Sequence, residues 1–171
     1  VGGNATAEEA SPELHMQVMN VNLCGGIRCA QQVLPGMRER GRGAVVNITS
    51  VVGRIAALAQ SPYVTSKWAF EGWSEQLAQE LAPFGVRVAI VEPGITKSAI
   101  FAKNIDMPNL TGAYDAHYRR MFQMYAAGMA KATDPFEVAA VVHHAVTTDS
   151  PHLRYAVSWG ATELIGGRAA M

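Results

Sequence analysis

Apolar positions along this chain follow two rhythms, a three-to-four-residue stripe and short continuous runs, and the two alternate. Ser11-Pro12-Glu13 has the cap, first-position proline and first-turn acid of a helix start, and Leu14, Val18, Val21 and Leu23 then open a helical stripe expected to run to about Arg40. Inside it, Asn22, Gly25 and Gly26 are poor helix formers, so the segment around Asn22 is expected to be locally weak or bent. After Gly41-Arg42-Gly43, the run Ala44-Val45-Val46-Asn47-Ile48 is almost wholly apolar and rich in β-branched residues, the pattern of a strand buried on both faces of a parallel sheet. Ser61-Pro62 begins a second helix with Phe70, Trp73, Leu77 and Leu81 at helical steps, and Pro83-Phe84-Gly85 stops it. A second buried strand is predicted over residues 86–91, broken by Glu92-Pro93-Gly94.

From Ile95 to about Thr133 the pattern reads as an excursion, a substrate loop or lid, in which Pro108 and Gly112 precede a helix with the stripe Tyr114, Tyr118, Met121, Phe122, Tyr125 and Met129. Core packing of an amphipathic helix explains that stripe as well as a lid does. Asp134-Pro135 starts a last helix through about His144, Leu153 to Val157 reads as a final strand, and Gly160 onward reads as a tail. The order predicts one α/β domain over residues 1–171: a partial doubly wound, Rossmann-like parallel sheet of three strands, near 44–48, 86–91 and 153–157, with helices on both faces.

Composition removes several classes of function. With 171 residues and 49% hydrophobic content, one sizeable core is within reach, and 14 basic against 14 acidic side chains leave no field to favour nucleic acid or an anionic membrane surface. No stretch of eighteen or more apolar residues is present, so no membrane partner is expected and a cytoplasmic location is. Cys24 and Cys29, five apart on one helix, face different sides and are expected to stay unpaired. His143-His144 point about 100° apart on a helix, and no metal is assigned.

The chemistry-bearing signal is Tyr63-Val64-Thr65-Ser66-Lys67, thirteen residues after Ser50. Four residues apart on a helix, phenol and ammonium share one face, and an adjacent cation is expected to pull a tyrosine pKa down by about 1–3 units. Ser50, at the carboxyl end of a parallel strand, stands where open α/β sheets place ligands. A serine hydrolase built on Ser50 is disfavoured, because no G-x-S-x-G elbow surrounds it.

Taken in order, Asn22, Asn47-Ile48-Thr49-Ser50, Tyr63-x-x-x-Lys67 and Val91-Glu92-Pro93-Gly94-Ile95-Thr96 resemble the short-chain dehydrogenase/reductase family over nearly the whole chain. The resemblance implies an NAD- or NADP-dependent oxidoreductase interconverting an alcohol and a ketone or aldehyde, with hydride passing between substrate and nicotinamide. Tyr63 would be the general acid/base, Lys67 would lower its pKa and hold the nicotinamide ribose, and Ser50 would steady the substrate oxygen. Asn22 would act through a helix distortion whose freed carbonyl holds a water linked to Lys67. Pro93, Gly94, Ile95 and Thr96 would pass beside the nicotinamide, with Gly94 allowing close backbone approach. Thr96 and Ser98 could instead serve as local caps.

The resemblance also implies a homo-oligomer formed through helices 12–40 and 62–82. An apolar alcohol or carbonyl substrate follows if the methionine- and tyrosine-rich stripe is a lid. The family's strand, glycine-rich turn and pyrophosphate-binding helix have no counterpart here, and Gly2-Gly3, Gly25-Gly26 and Gly166-Gly167 do not replace them. The chain by itself is therefore expected to be inactive, with one apolar strand edge uncovered. The alternative expectation is a non-catalytic remnant that binds a partner subunit.

Overall fold

The structure, a computed structural model, describes residues 1–100 and 109–169. Residues 101–108 of the expected 95–133 excursion, Pro108 among them, lie outside the described residues. Three parallel strands, β1 (Gly43–Ile48), β2 (Val86–Pro93) and β3 (Arg154–Val157), form a sheet in the order β1-β2-β3. Register runs from Gly43 opposite Val86 to Ile48 opposite Val91, then from Ile90 opposite Arg154 to Pro93 opposite Val157. The central strand is the most deeply buried, with Ile90 and Val91 fully enclosed, as the continuous apolar run required.

Helix α3 (Ser61–Leu81) crosses from β1 back to β2. Its inner face packs Leu77 and Leu81 against Val86 and Val88, with Leu34, Met37 and Trp73 around them. Helices α4 (Asp115–Met129) and α5 (Pro135–Thr147) precede β3. The Asp134 carboxylate caps α5 by accepting from the Phe136 amide at 2.9 Å. Among the described residues no helix is long and apolar enough to cross a membrane.

The distortion expected around Asn22 is present, and one other expectation changes. The first helix does not run unbroken from Pro12 to Arg40: α1 (Pro12–Met19) passes through a π-helical turn, Asn20–Cys24, into α2 (Gly25–Glu39). The Gly25 amide reaches back five residues to the Asn20 carbonyl, the local widening that an Asn and two glycines inside a helix make cheap. The stretch after Gly160 is not a tail but a helix, α6 (Ala161–Ala169). Gly160 takes φ +79° and turns the chain so that Ala161 is buried, whereas Gly166-Gly167 hid the helical pattern from a propensity reading.

Among the described residues the outer edge of β1 has no strand beside it, and Ile48 there is 41% exposed. An uncovered parallel edge is a template for pairing, so the isolated chain should self-associate in proportion to concentration. A light-scattering series across a tenfold dilution that stays monodisperse throughout would refute this.

Candidate functional site

The carboxyl end of β1 and the first two turns of α3 build the site. Pro62 at the helix start pre-sets the backbone, and the inward positions that follow carry Tyr63, Ser66, Lys67, Phe70, Glu71 and Ser74 before the purely apolar contacts begin. Burying so many polar groups on one helix requires partners, and they are present. Asn47 donates to the Ser74 hydroxyl at 2.8 Å, the Ser66 hydroxyl donates to the Tyr63 carbonyl at 2.8 Å, and Asn22 donates to the Ser66 hydroxyl at 3.0 Å. Ser50 caps the short turn Val51–Gly53, accepting from the Val52 amide at 3.3 Å, and its hydroxyl donates to the Pro93 carbonyl at 3.4 Å.

These elements open onto one cleft of about 810 Å³, whose wall includes Ser50, Tyr63, Lys67 and the whole of Pro93, Gly94, Ile95 and Thr96. Asn22 is not on that wall. Its side chain instead bonds the Val1 amino group and carbonyl at 2.9 and 2.8 Å and reaches the Tyr63–Lys67 turn through Ser66. The Tyr114–Met129 stripe packs in part into the core and in part lines the cleft. Tyr118 and Met121 pack with Ala59 in a buried cluster, while Met121, Met124 and Tyr125 face the cleft. Among the wall residues missed in sequence are Trp159, Gly160, Glu163 and Leu164. They sit in what reads as a tail, and the one usable signal was the helical spacing of Ala161, Leu164 and Ile165.

Electrostatics revise one expectation. Burial pushes the Tyr63 phenol above its ordinary value, and a hydrogen bond with Ser50 pulls in the opposite direction. Lys67 is not the group that sets it. The Lys67 ammonium donates to the Ile48 carbonyl at 3.1 Å and sits 5.7 Å from the centre of the Tyr63 ring, so it acts on the ring rather than pairing with the oxygen. Burial also lowers Lys67 itself to about 8, with Glu71 opposing the fall. Burial thus moves the two groups apart in proton affinity, the phenol holding its proton more tightly than a free tyrosine and the ammonium less tightly than a free lysine.

The lack of a side chain at Gly94 also serves the fold. A Cβ there would stand 2.3 Å from the Trp159 main-chain oxygen, so the segment entering α6 already occupies the space its lack of a side chain frees. The Gly94 amide donates to the Val157 carbonyl at 2.8 Å, while Thr96 shares a hydrogen bond with the Ser158 hydroxyl at 2.8 Å. Gly94→Ala should therefore cost about 1–3 kcal/mol through forced backbone movement. An unchanged thermal midpoint would show that the 158–160 segment gives way freely.

The donor set fits one end of a dinucleotide. A buried ammonium, two hydroxyls and a main-chain wall at Pro93–Thr96 match a nicotinamide with its ribose, and among the described residues no glycine-rich strand-turn-helix offers a pyrophosphate cradle.

Comparison with known proteins identifies the family. The short chain dehydrogenase family profile matches residues 1–109. "Uncharacterized oxidoreductase YusZ" of Bacillus subtilis (strain 168) is 33% identical over 158 residues, covering 90% of this chain and 56% of the relative. "D-beta-hydroxybutyrate dehydrogenase, mitochondrial" of Mus musculus is 35% identical over 163 residues, covering 86% of this chain and 47% of the relative. A solved short-chain dehydrogenase from Streptomyces avermitilis superposes with a TM-score of 0.84 at 32% identity, over 99% of this chain and 63% of that one. The chain thus spans about half the length of the curated relatives it matches. With the profile covering more than half of its residues and the paired strand ends and α3 in their places, the chain belongs to the short chain dehydrogenase family.

Proposed function

We propose that residues 1–171 are the catalytic and substrate-binding part of an NAD- or NADP-dependent oxidoreductase that interconverts an apolar alcohol with its ketone or aldehyde. The observation that carries this reading is the convergence of the Ser50 hydroxyl, the Tyr63 phenol and the Lys67 ammonium on one cleft wall. Bound there, a nicotinamide supplies hydride to the substrate carbon or takes it back. Ser50 would donate a hydrogen bond to the substrate oxygen, holding it beside Tyr63. In the reducing direction the phenol proton moves to that oxygen, and the Lys67 ammonium near the ring would steady the phenolate left behind. Because burial keeps the phenol protonated at neutral pH, this geometry favours carbonyl reduction there and alcohol oxidation only as pH rises.

The rest of the cleft supports an apolar substrate. Leu58, Ile100, Met121, Met124 and Leu164 line it, and methionine walls adapt to varied shapes. The test is turnover by the full-length protein on a series of alcohols of growing apolar bulk, followed by nicotinamide absorbance. Rising kcat/KM with apolar size supports the reading, and no turnover with any alcohol or carbonyl in either direction overturns it. Copies of the chain would associate through helices 12–40 and 62–82, where Met16, Val21, Val33 and Trp68 stand exposed. A monomer by analytical ultracentrifugation of the full-length protein would exclude that assembly.

A further inference from the structure

Behind the cleft wall lies a charged cluster that the proton-transfer groups do not themselves account for. Glu71, one helical turn beyond Lys67 on α3, is 4% exposed, and Glu92, the residue before Pro93 on β2, is 2% exposed. Glu71 accepts from the Thr49 hydroxyl at 2.5 Å and from Arg154 Nε at 3.1 Å. Glu92 pairs with Arg54 at 3.1 Å and with Arg154 at 3.5 Å, and Arg154 also holds Glu75 at 3.1 Å. One network therefore joins the carboxyl ends of β1 and β2 and the first residue of β3 to α3. Thr49 is the neighbour of Ser50 and Glu92 the neighbour of Pro93, so the network also sets the spacing of the cleft wall.

The charges in it do not cancel. Three carboxylates, Glu71, Glu75 and Glu92, face two guanidiniums, Arg54 and Arg154, leaving one negative charge in excess. Glu75, with its side chain 52% exposed, leaves that surplus to solvent, whereas an ammonium withdrawn from water needs an anion near it. Glu71, four residues on from Lys67 on the same helix face, meets that need.

We propose that Glu71 is a positioning residue for the reaction: its buried carboxylate, tied to β1 and β3, is the counter-charge that keeps Lys67 an ammonium within the cleft wall. The proposal rests on the reading of Lys67 as part of the proton-transfer site. The other ionisable groups presented to this side of α3 are Tyr63 on the helix itself, Tyr125 of α4, and the Val1 amino group held by Asn22. Burial disfavours the charged lysine and the Val1 amino group repels it, while Glu71 supports the charge. Glu71 is thus the one member whose loss removes support from Lys67 while leaving the nearby cations in place.

The test is a pH titration of Lys67 in the chain itself, by NMR of isotope-labelled lysine, which needs neither cofactor nor turnover. With Glu71→Gln the Lys67 midpoint should fall by about one pH unit. Glu75→Gln, which alters the exposed rim of the same network, should leave it in place. Should Glu71→Gln not fold, Glu71→Asp keeps the charge but withdraws it by one methylene, and a smaller fall is expected. An unmoved midpoint in the Gln variant, or in the Asp variant where only that one folds, overturns the proposal. In the full-length enzyme the alkaline limb of kcat should move to lower pH in Glu71→Gln and return part of the way in Glu71→Asp. A shifted Lys67 midpoint in a protein with no redox turnover would defeat the functional reading and leave this inference standing; an unmoved midpoint in an active enzyme would do the reverse.

Discussion

Tyr63→Phe in the full-length protein should lower kcat/KM for alcohol and carbonyl substrates alike by about 10³-fold, within the range of about 10²–10⁴ that a positioned acid/base contributes. The substitution keeps the ring and removes only the oxygen, so the cleft wall and α3 should persist, and an unchanged thermal midpoint would confirm that the loss is chemical. Its companion is a pH profile. The hydrogen bond with Ser50 holds the Tyr63 pKa down against burial, so Ser50→Ala releases that restraint and raises the pKa further. Alcohol oxidation uses the phenolate, so its rising limb should then appear at higher pH, beside an independent loss of about 10²-fold or more from the missing donor to the substrate oxygen. Turnover by Tyr63→Phe within tenfold of the parent would remove Tyr63 from the reaction.

Arg154→Met is expected to cause the largest loss of stability. Arg154 is the cation shared by Glu71, Glu75 and Glu92, and the first and last of these have almost no access to water. Breaking a buried ion pair by deleting one partner costs about 3–5 kcal/mol, and the lower end applies because the Arg154 side chain is 26% exposed. The loss should depend on pH in a definite direction. Burial and the neighbouring Glu71 already raise Glu92 above its ordinary 4.5, with Arg54 and Arg154 opposing. Between its unfolded and its raised folded pKa, the native state binds more protons than the unfolded one, so stability falls as pH rises through that window. Removing Arg154 raises the folded pKa further and widens the window. Denaturant titrations should therefore show a greater loss at about pH 8 than at about pH 5. Equal losses at the two pH values would mean that Arg154 acts by packing alone.

The contrast between Ser50, Tyr63 and Asn22 explains how much of the site could be read in advance. Ser50 and Tyr63 lie at element boundaries, a strand end and a helix start, where local chemistry announces both the boundary and the residue's place on it. Asn22 lies inside a helix, and its unfavourable propensity signalled a distortion there but not which way its side chain would turn. The glutamates were harder still. Glu71 and Glu92 read as ordinary charges on a helix and at a strand end, and nothing within four residues of either discloses that Arg154 and Arg54 converge on them from distant parts of the chain. Trp159 and Leu164 escaped for another reason: Gly166-Gly167 depress helix propensity enough that burial of Ala161 had to decide the segment.

Periodicity along the chain was sufficient for the parallel strands, the crossover helix and the Tyr63–Lys67 spacing, because each follows from contacts or side-chain directions within a few residues. Folding decided the rest. Whether a phenol is raised or lowered, whether a lysine bonds a tyrosine oxygen or the Ile48 carbonyl, and which anion balances it all depend on burial and on charges brought in from β2, β3 and the turn after Ser50. Desolvation and Coulomb interactions act through space, and a linear pattern does not contain those distances.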